Sequence, residues 1–420
     1  MPGFTQATKP LAFTTPLGED ALLLETLTGH ESISELFEFE LDLLAAPDEE
    51  IPFDKLLGQP AAVVLRNPDE PVRYFHGIVN RFSQGAEVRG PEGLVTFVRY
   101  RATLVPELWL LTRNSRSRIF QQMTVPDILK AVFAGFAVTF ELIGEYEPRD
   151  YCVQYREDDL AFAARLMEEE GIFYFFAHTE DGHDCVVSDH RDGHVPSSDP
   201  AELEYDTVVG GNRPRNRITS WTKTQELRSG VVTLWDHNFE AAHHNLEARA
   251  TIQKAVEVGT ITHALNVDAN AELELYDFPG NYAKRFDGVD PGGSDRAADI
   301  DKIFNDNTRT TKLRMEQEAA QGLEVAGESD CHHLSAGHTF ELARHFNADG
   351  QYVLTWVEHS ASVGDAYISG SDGYDYQNWF WCIPFGLPYR PGETAARPSI
   401  PGTQTAAVVG PAGDAIFSDK

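Results

Sequence analysis

The residues best suited to bind a metal form one short run, Asp330-Cys331-His332-His333, with His338 close behind. Cysteine and histidine are zinc ligands, and a closed zinc site needs about four of them at suitable spacing. If this run belongs to a strand, its successive side chains point to opposite faces and do not converge on one ion. We therefore interpret the run as a polar turn that enters a strand.

Two other groups of ionisable residues are equally weak candidates. His237 lies near the pair His243 and His244, and the argument against zinc applies to them too. The three glutamates at 168–170 could supply the two carboxylates of a glycosidase. With 66 acidic residues in the chain, however, such pairs are inevitable. A charge run at a helix end is usually a solvated face, which is our interpretation of this one.

Nucleophile and phosphate-binding motifs do not appear in the sequence. There is no GxSxG and no P-loop, and residues 410–413, Gly-Pro-Ala-Gly, read as a tight turn. Arg113, Arg116 and Arg118 form a small basic cluster that could bind an anion. In so acidic a chain we expect these arginines to pair with carboxylates across an interface. We expect no catalytic residue, no cofactor and no bound metal.

Composition narrows the class of protein further. Of the 420 residues, 66 are acidic and 34 are basic, which gives a net charge of −32. So negative a surface repels nucleic acid and anionic lipid. Cys152, Cys185, Cys331 and Cys382 are widely spaced and do not suggest a disulfide framework. Residues 1–10 lack the apolar core of a signal peptide, and no apolar run is long enough for a membrane span.

The elements that position these residues are mostly strands. Apolar and acidic residues alternate over 37–43, and further strands are predicted over 72–82, 94–104 and 172–176. More strands are predicted at 185–187, 338–343, 352–359, 406–409 and 415–417. Asp181-Gly182 indicates a hairpin.

Three helices interrupt these strands in the prediction. Thr124 can cap the first helix, Asp158 lies at the start of the second, and Gly171 can end the second. A third helix is predicted over about 310–321, after a loop at 287–300. This pattern indicates a mainly β chain with helical insertions (α+β), built from antiparallel β-barrels.

Several stretches resemble the VgrG family, the spike proteins of type VI secretion systems. The most specific are RIFQ at 118–121, TVPDIL at 124–129, YCVQYREDD at 151–159 and RLMEEEGIFYF at 165–175. Residues 56–58, 75–79, 216–221, 279–282 and 402–410 also fit. The resemblance runs from about residue 17 to Lys420. Residues 234–239 depart from the family's tyrosine-rich version, which we interpret as a packing change.

The resemblance implies two tube-like barrels of the phage baseplate hub type within residues 1–385. Barrel one would comprise about 15–110 and 212–240, an insertion would cover about 111–211, and barrel two would cover about 241–383. A proline-rich linker at 384–402 would lead to the first strands of an OB-type barrel at 403–420. In the family a β-helix needle follows that barrel, so the chain is expected to stop at the start of the barrel.

The function implied by the resemblance is structural. A homotrimer would cap a hexameric Hcp-like tail tube, contact baseplate subunits and carry a tip protein or effectors through the C-terminal side. Assembly would take place in the cytoplasm, followed by export through the secretion apparatus. Two alternatives stay open: a tail hub of a contractile phage, and a hydrolase that uses carboxylates in a cleft between the barrels.

Overall fold

Period-two apolar patterning in the first part of the chain produces an antiparallel sheet. The computed structural model describes residues 4–67, 70–89, 95–197, 202–208, 216–239, 241–286, 301–364, 367, 374–403 and 405. The strands of this sheet are β1 (Leu11–Thr14), β2 (Leu23–Ser32), β3 (Glu38–Ala45), β4 (Pro60–Leu65), β5 (Arg73–Arg89) and β6 (Val95–Val105). They are ordered β1-β4-β5-β6-β3-β2. Phe39 and Leu41 of β3 are buried while Glu38 and Glu40 are exposed, which confirms the predicted alternation.

An insertion of helices and short strands follows the first sheet. Its elements are β7 (Arg116–Met123), α1 (Val125–Val132), β8 (Val138–Glu141), β9 (Arg149–Glu157), α2 (Asp159–Glu170), β10 (Phe173–His178), β11 (His183–Ser188) and β12 (Val195–Pro196). The predicted cap at Thr124, the helix start at Asp158 and the stop at Gly171 are confirmed. Thr124 accepts a hydrogen bond from the amide of Asp127, and Asp158 accepts one from Ala161. Gly171 ends α2 with φ of 68°, in the left-handed region that favours glycine.

The second unit contains the remaining strands and one long helix. These elements are β13 (Glu202–Tyr205), β14 (Arg217–Gln225), β15 (Val231–Leu234), β16 (Ala248–Thr251), β17 (Ala255–Val258), β18 (Ile261–Ala264), β19 (Glu274–Asp277), α3 (Lys302–Ala320), β20 (Leu323–Ser329), β21 (His338–Ala343), β22 (Gly350–Ser362) and β23 (Asp375–Pro384). Six of them close a ring in the order β22-β23-β20-β14-β13-β21, because β21 also pairs with β22.

Some boundaries differ from the sequence-based expectation. β14 lies within residues 212–240, which were assigned to barrel one, yet it pairs with β13 and β20 in the ring. A sequence pattern shows that a segment is a strand but not which distant strand it pairs with. The ring is also not wholly antiparallel, since β13 runs parallel to both neighbours. Helix α3 begins at Lys302, earlier than predicted.

Strand β22 joins the two units. Its first residues, Gly350 to Val353, pair with β21 of the ring, and its later residues, Trp356 to Ser362, pair with β2 of the first sheet. Along nearly its whole length, its other edge pairs with β23. The first sheet and the ring are therefore parts of one continuous hydrogen-bonded system of thirteen strands.

Two hydrophobic cores lie on either side of β10. Tyr174 and Phe176 pack into the core of the first sheet and the insertion. Phe173 and Phe175 pack into the core of the ring and α3. This strand is buried on both faces, which confirms one of the two arrangements that its continuous apolar pattern allowed.

The proline-rich segment after β23 packs against helices α2 and α3. Arg390 donates to Glu316 of α3 over 2.8 Å and to the Gly171 carbonyl over 2.9 Å. Thr394 binds Glu168 of α2 through its amide and its hydroxyl. The segment is therefore anchored to the fold. The loop expected at 287–300 and the strands expected at 406–409 and 415–417 lie outside the described residues.

Candidate functional site

A charged cluster is buried at Glu31, where β2 pairs with β22. One carboxylate oxygen of Glu31 accepts hydrogen bonds from Arg73 at 3.0 Å, His359 at 3.0 Å and Ser335 at 3.1 Å. Burial by itself would raise the pKa of Glu31. The hydrogen bond from His359 and the charge of Arg73 outweigh burial, and together they lower the pKa to about 2. Glu31 is therefore ionised and holds groups from β5, β22 and the β20–β21 loop together.

A hydrogen-bond chain extends from this carboxylate into the ring. His359 donates through Nε2 to Glu31 and accepts through Nδ1 from the Tyr376 hydroxyl over 2.7 Å. The Tyr376 oxygen in turn accepts from Asn378 over 3.1 Å. This arrangement needs only one proton on His359, and burial lowers the pKa of that imidazole. A neutral His359 is therefore the form that satisfies both partners.

More histidines line the side of this cluster that faces the insertion. His178 Nε2 lies 3.8 Å from Glu31, too far for a direct hydrogen bond. Its Nδ1 accepts from the amide of His76 over 3.1 Å. His76 and His183 approach each other at 3.0 Å through their Nδ1 atoms. Burial lowers the pKa of all three, that of His183 to about 4, so these imidazoles are neutral near pH 7.

This environment favours structural roles over acid catalysis. A catalytic general acid needs a pKa raised towards neutrality. The buried carboxyl groups of Glu31 and Glu169 have the opposite shift, with the pKa of each lowered to about 2. Each of these two carboxylates is ionised and paired with a buried arginine. A charge held in this way fixes the relative position of elements.

The run at 330–333 contains a turn before β21, which confirms the predicted polar turn that enters a strand. The turn brings the imidazole rings of His332 and His333 to 4.1 Å between centroids. A ring nitrogen from each and a carboxylate oxygen of Glu70 all lie within 4.8 Å of one another. Glu70 was missed because it is distant in the sequence. Cys331 and His338 are not in this group, and burial raises the pKa of Cys331 to about 12.

The glutamates at 168–170 are not the solvated helix end that was predicted. Glu169 and Glu170 both pair with Arg149 of β9, and Glu168 accepts from the proline-rich segment. All three are largely buried, because β9 and that segment cover the end of α2. The prediction was wrong since the covering segments are remote in the sequence.

The other candidate groups, three histidines and a small arginine cluster, lie at the surface or in ion pairs. His237, His243 and His244 are exposed, and His244 stacks edge-on against a phenylalanine. Arg116 and Arg118 pair with a carboxylate as expected, but that carboxylate is Asp159 of the same chain, at 3.3 and 2.5 Å. These ion pairs therefore connect β7 to the first turn of α2. Among the described helices, none has both the length and the apolar character needed to cross a membrane.

The fold thus consists of two strand systems that share one strand, with buried charges at their junction. The profile of the phage tail baseplate hub (GPD) family matches residues 30–365, and the chain belongs to this family. The resemblance to spike proteins is confirmed as well. The chain is 34% identical over 424 residues to the type VI secretion system spike protein VgrG1c of Pseudomonas aeruginosa, covering 99% of this chain and 53% of that protein.

Further comparisons agree with this assignment. VgrG1a of Pseudomonas aeruginosa is 34% identical over 422 residues, covering 99% of this chain and 60% of that protein. The chain thus spans a little over half the length of these relatives. The Escherichia coli c3393 protein, a type VI secretion component described as similar to phage T4 gp27 and gp5, has the same fold. Its TM-score is 0.56 at 19% identity, covering 92% of this chain and 80% of that one.

Proposed function

We propose that this chain is the hub region of a type VI secretion spike. It assembles as a homotrimer, caps a hexameric Hcp-like tail tube, contacts baseplate subunits, and carries a tip protein or effectors on its C-terminal side. The pairing of β22 with both β2 and β21 carries this proposal. It places two strand systems side by side in each subunit, so that a trimer presents six similar units to a sixfold partner.

The division of the chain follows from the same proposal. Residues 1–385 form the hub region, with barrel one built around β1–β6, an insertion from about residue 111 up to β13, and barrel two containing β13, β14 and β20–β23. Residues 384–402 lead to an OB-type barrel that begins at 403–420. The spike assembles in the cytoplasm and leaves the cell through the secretion apparatus. A contractile phage hub shares the fold, but the 34% identity to spike proteins favours secretion.

An aromatic surface supports the proposed assembly. Trp356 and Trp381 stack on the outer side of β22 and β23, with ring centroids 4.9 Å apart. Trp381 is 46% exposed and Trp379 is 38% exposed. Clustered tryptophans exposed on a sheet are typical of protein interfaces. We propose this surface as a contact between subunits.

No catalysis is part of this function. Support comes from the buried carboxylates Glu31 and Glu169, whose lowered pKa values suit fixed ion pairs. A hub acts through its contacts, and these carboxylates hold the contact surfaces in place. A hydrolase would instead need an acid with a raised pKa in an accessible cleft.

The proposal is tested by mixing the protein with a hexameric Hcp-like tube protein and measuring the mass of the complex by sedimentation. Three chains per hexamer are expected. Trp381→Glu should abolish this complex, whereas Trp235→Glu, at a residue with a similar exposure of 43%, should not. A failure of the unmodified chain to bind the tube would contradict the proposal.

A further inference from the structure

The loop between β20 and β21 and the connection between β4 and β5 meet at a compact set of metal-ligating groups. Glu70 lies just before β5 of the first sheet, and His332 and His333 lie between β20 and β21 of the ring. Their nearest ligand atoms lie within 4.8 Å of one another. Both histidines are buried, at 0% and 3% exposure, and the side chain of Glu70 is 13% exposed. The set is therefore enclosed except at the carboxylate.

Both ring nitrogens of His332 face polar groups of the connection between β4 and β5. Its Nδ1 lies 3.2 Å from Glu70 Oε2, and its Nε2 lies 3.4 Å from the Pro71 carbonyl. Nδ1 also lies 3.0 Å from the side-chain amide nitrogen of Asn67, which donates to Glu70 Oε2 over 2.9 Å as well, so a neutral His332 with its proton on Nε2 satisfies both ring nitrogens. His333 Nε2 also points to the Pro71 carbonyl, at 3.1 Å. In that tautomer the lone pair of Nδ1 lies beside the Glu70 carboxylate, so a cation that displaced the Asn67 amide would meet a ligand nitrogen and a ligand oxygen together.

We propose that Glu70, His332 and His333 bind one zinc ion or a similar divalent transition metal. Imidazole nitrogen and carboxylate oxygen suit zinc, at bond lengths of about 2.0–2.2 Å, and three protein ligands leave a fourth position for water. Tetrahedral ligands at that distance lie about 3.5 Å apart, so only small side-chain rotations are needed. Because imidazole is a poor ligand for calcium or magnesium, those ions are not expected.

The position of the site gives the metal a structural role. Arg73 and Ser335, each three residues from a ligand, belong to the buried cluster around Glu31. An ion held by Glu70 and the two histidines cross-links the first sheet to the ring beside that cluster. Metal binding to the folded state then stabilises the junction by mass action.

The test uses zinc sulfate and protein stripped with a chelator. One zinc per chain is expected by elemental analysis. The melting temperature should rise by about 3–5 °C at a hundredfold excess of zinc over its Kd. His333→Ala and Glu70→Gln should lose both the bound zinc and the shift, while His237→Ala, at an exposed histidine, should keep both.

Circular dichroism of the proteins without metal checks that each variant folds. If His333→Ala does not fold, Glu70→Gln still tests the site, because glutamine has nearly the same shape as glutamate. Absence of stoichiometric zinc in the unmodified protein would overturn the proposal. The proposal would also be overturned if Glu70→Gln and a folded His333→Ala both retained the zinc. Stoichiometric binding that leaves the melting temperature unchanged would overturn the structural role.

Discussion

Glu31 and Arg73 show how single residues hold this fold together. Both are buried, and each would be costly to bury alone because a charge in the interior loses its hydration. Here the two charges pair with each other, and His359 and Ser335 also donate hydrogen bonds to Glu31. The cluster joins β2, β5, β22 and the β20–β21 loop, so its geometry specifies how these elements meet.

Replacing Glu31 with glutamine should strongly destabilise the protein. The substitution leaves Arg73 buried without its partner charge, which typically costs about 3–5 kcal/mol. Urea denaturation at pH 7 measures the change in the free energy of unfolding. Glu38→Gln changes an exposed glutamate of β3 and should cost less than about 0.5 kcal/mol. Equal effects of the two substitutions would show that the buried cluster is not stabilising.

His194 should make stability depend on pH. It stacks on Phe173, donates to the Gly337 carbonyl, and has its pKa lowered to about 4 because it is buried. In the unfolded chain the imidazole titrates near pH 6.5, so the unfolded state takes up the proton first. The contribution is complete above pH 6.5 and is lost towards pH 4, by up to about 3 kcal/mol.

Urea midpoints measured between pH 7 and pH 4 test this dependence. His194→Asn keeps a donor for the Gly337 carbonyl but has no group that titrates in this range. The slope of stability against pH should therefore be shallower in the variant than in the unmodified protein. An unchanged slope would assign the acid sensitivity to the other buried histidines.

Strand β10 is the element on which both cores depend. Its alternate side chains enter different cores, and Phe175 lies against Gly337, where even a methyl group would overlap its ring. Phe175→Ala should cost about 3–5 kcal/mol, measured by thermal or urea denaturation. The exposed Ile119 of β7 is the control, and Ile119→Ala should cost less than about 1 kcal/mol. A melting curve unaffected by Phe175→Ala would contradict this packing.

Local elements were predictable from the sequence, and long-range neighbours were not. The caps at Thr124 and Asp158 and the stop at Gly171 depend on residues within one turn, so spacing was enough to find them. The Glu70–His332–His333 group, the covering of α2 and the placement of β14 depend on contacts between distant segments. The run at 330–333 was correctly predicted as a turn, but the argument against a metal used strand geometry, and a turn lets neighbouring side chains face the same way.

The net charge of −32 governs association of the whole molecule. Like-charged subunits repel, and added salt screens that repulsion. We therefore expect this chain to be monomeric or weakly trimeric at low salt and to associate more strongly as salt increases. Light scattering across a sodium chloride series measures this, and a second salt at equal ionic strength separates screening from ion binding. A tight trimer that loosens as salt is added would contradict the expectation.

The shared strand β22 also determines how the molecule comes apart. If the ring unfolds on heating, β2 of the first sheet loses its partner β22. If the first sheet unfolds, the part of β22 that pairs with β2 becomes exposed. Because the two units share this strand, we expect them to unfold together, so a calorimeter should record a single endotherm and not two. The same coupling means that a force on either unit is transmitted to the other through the backbone hydrogen bonds of β22.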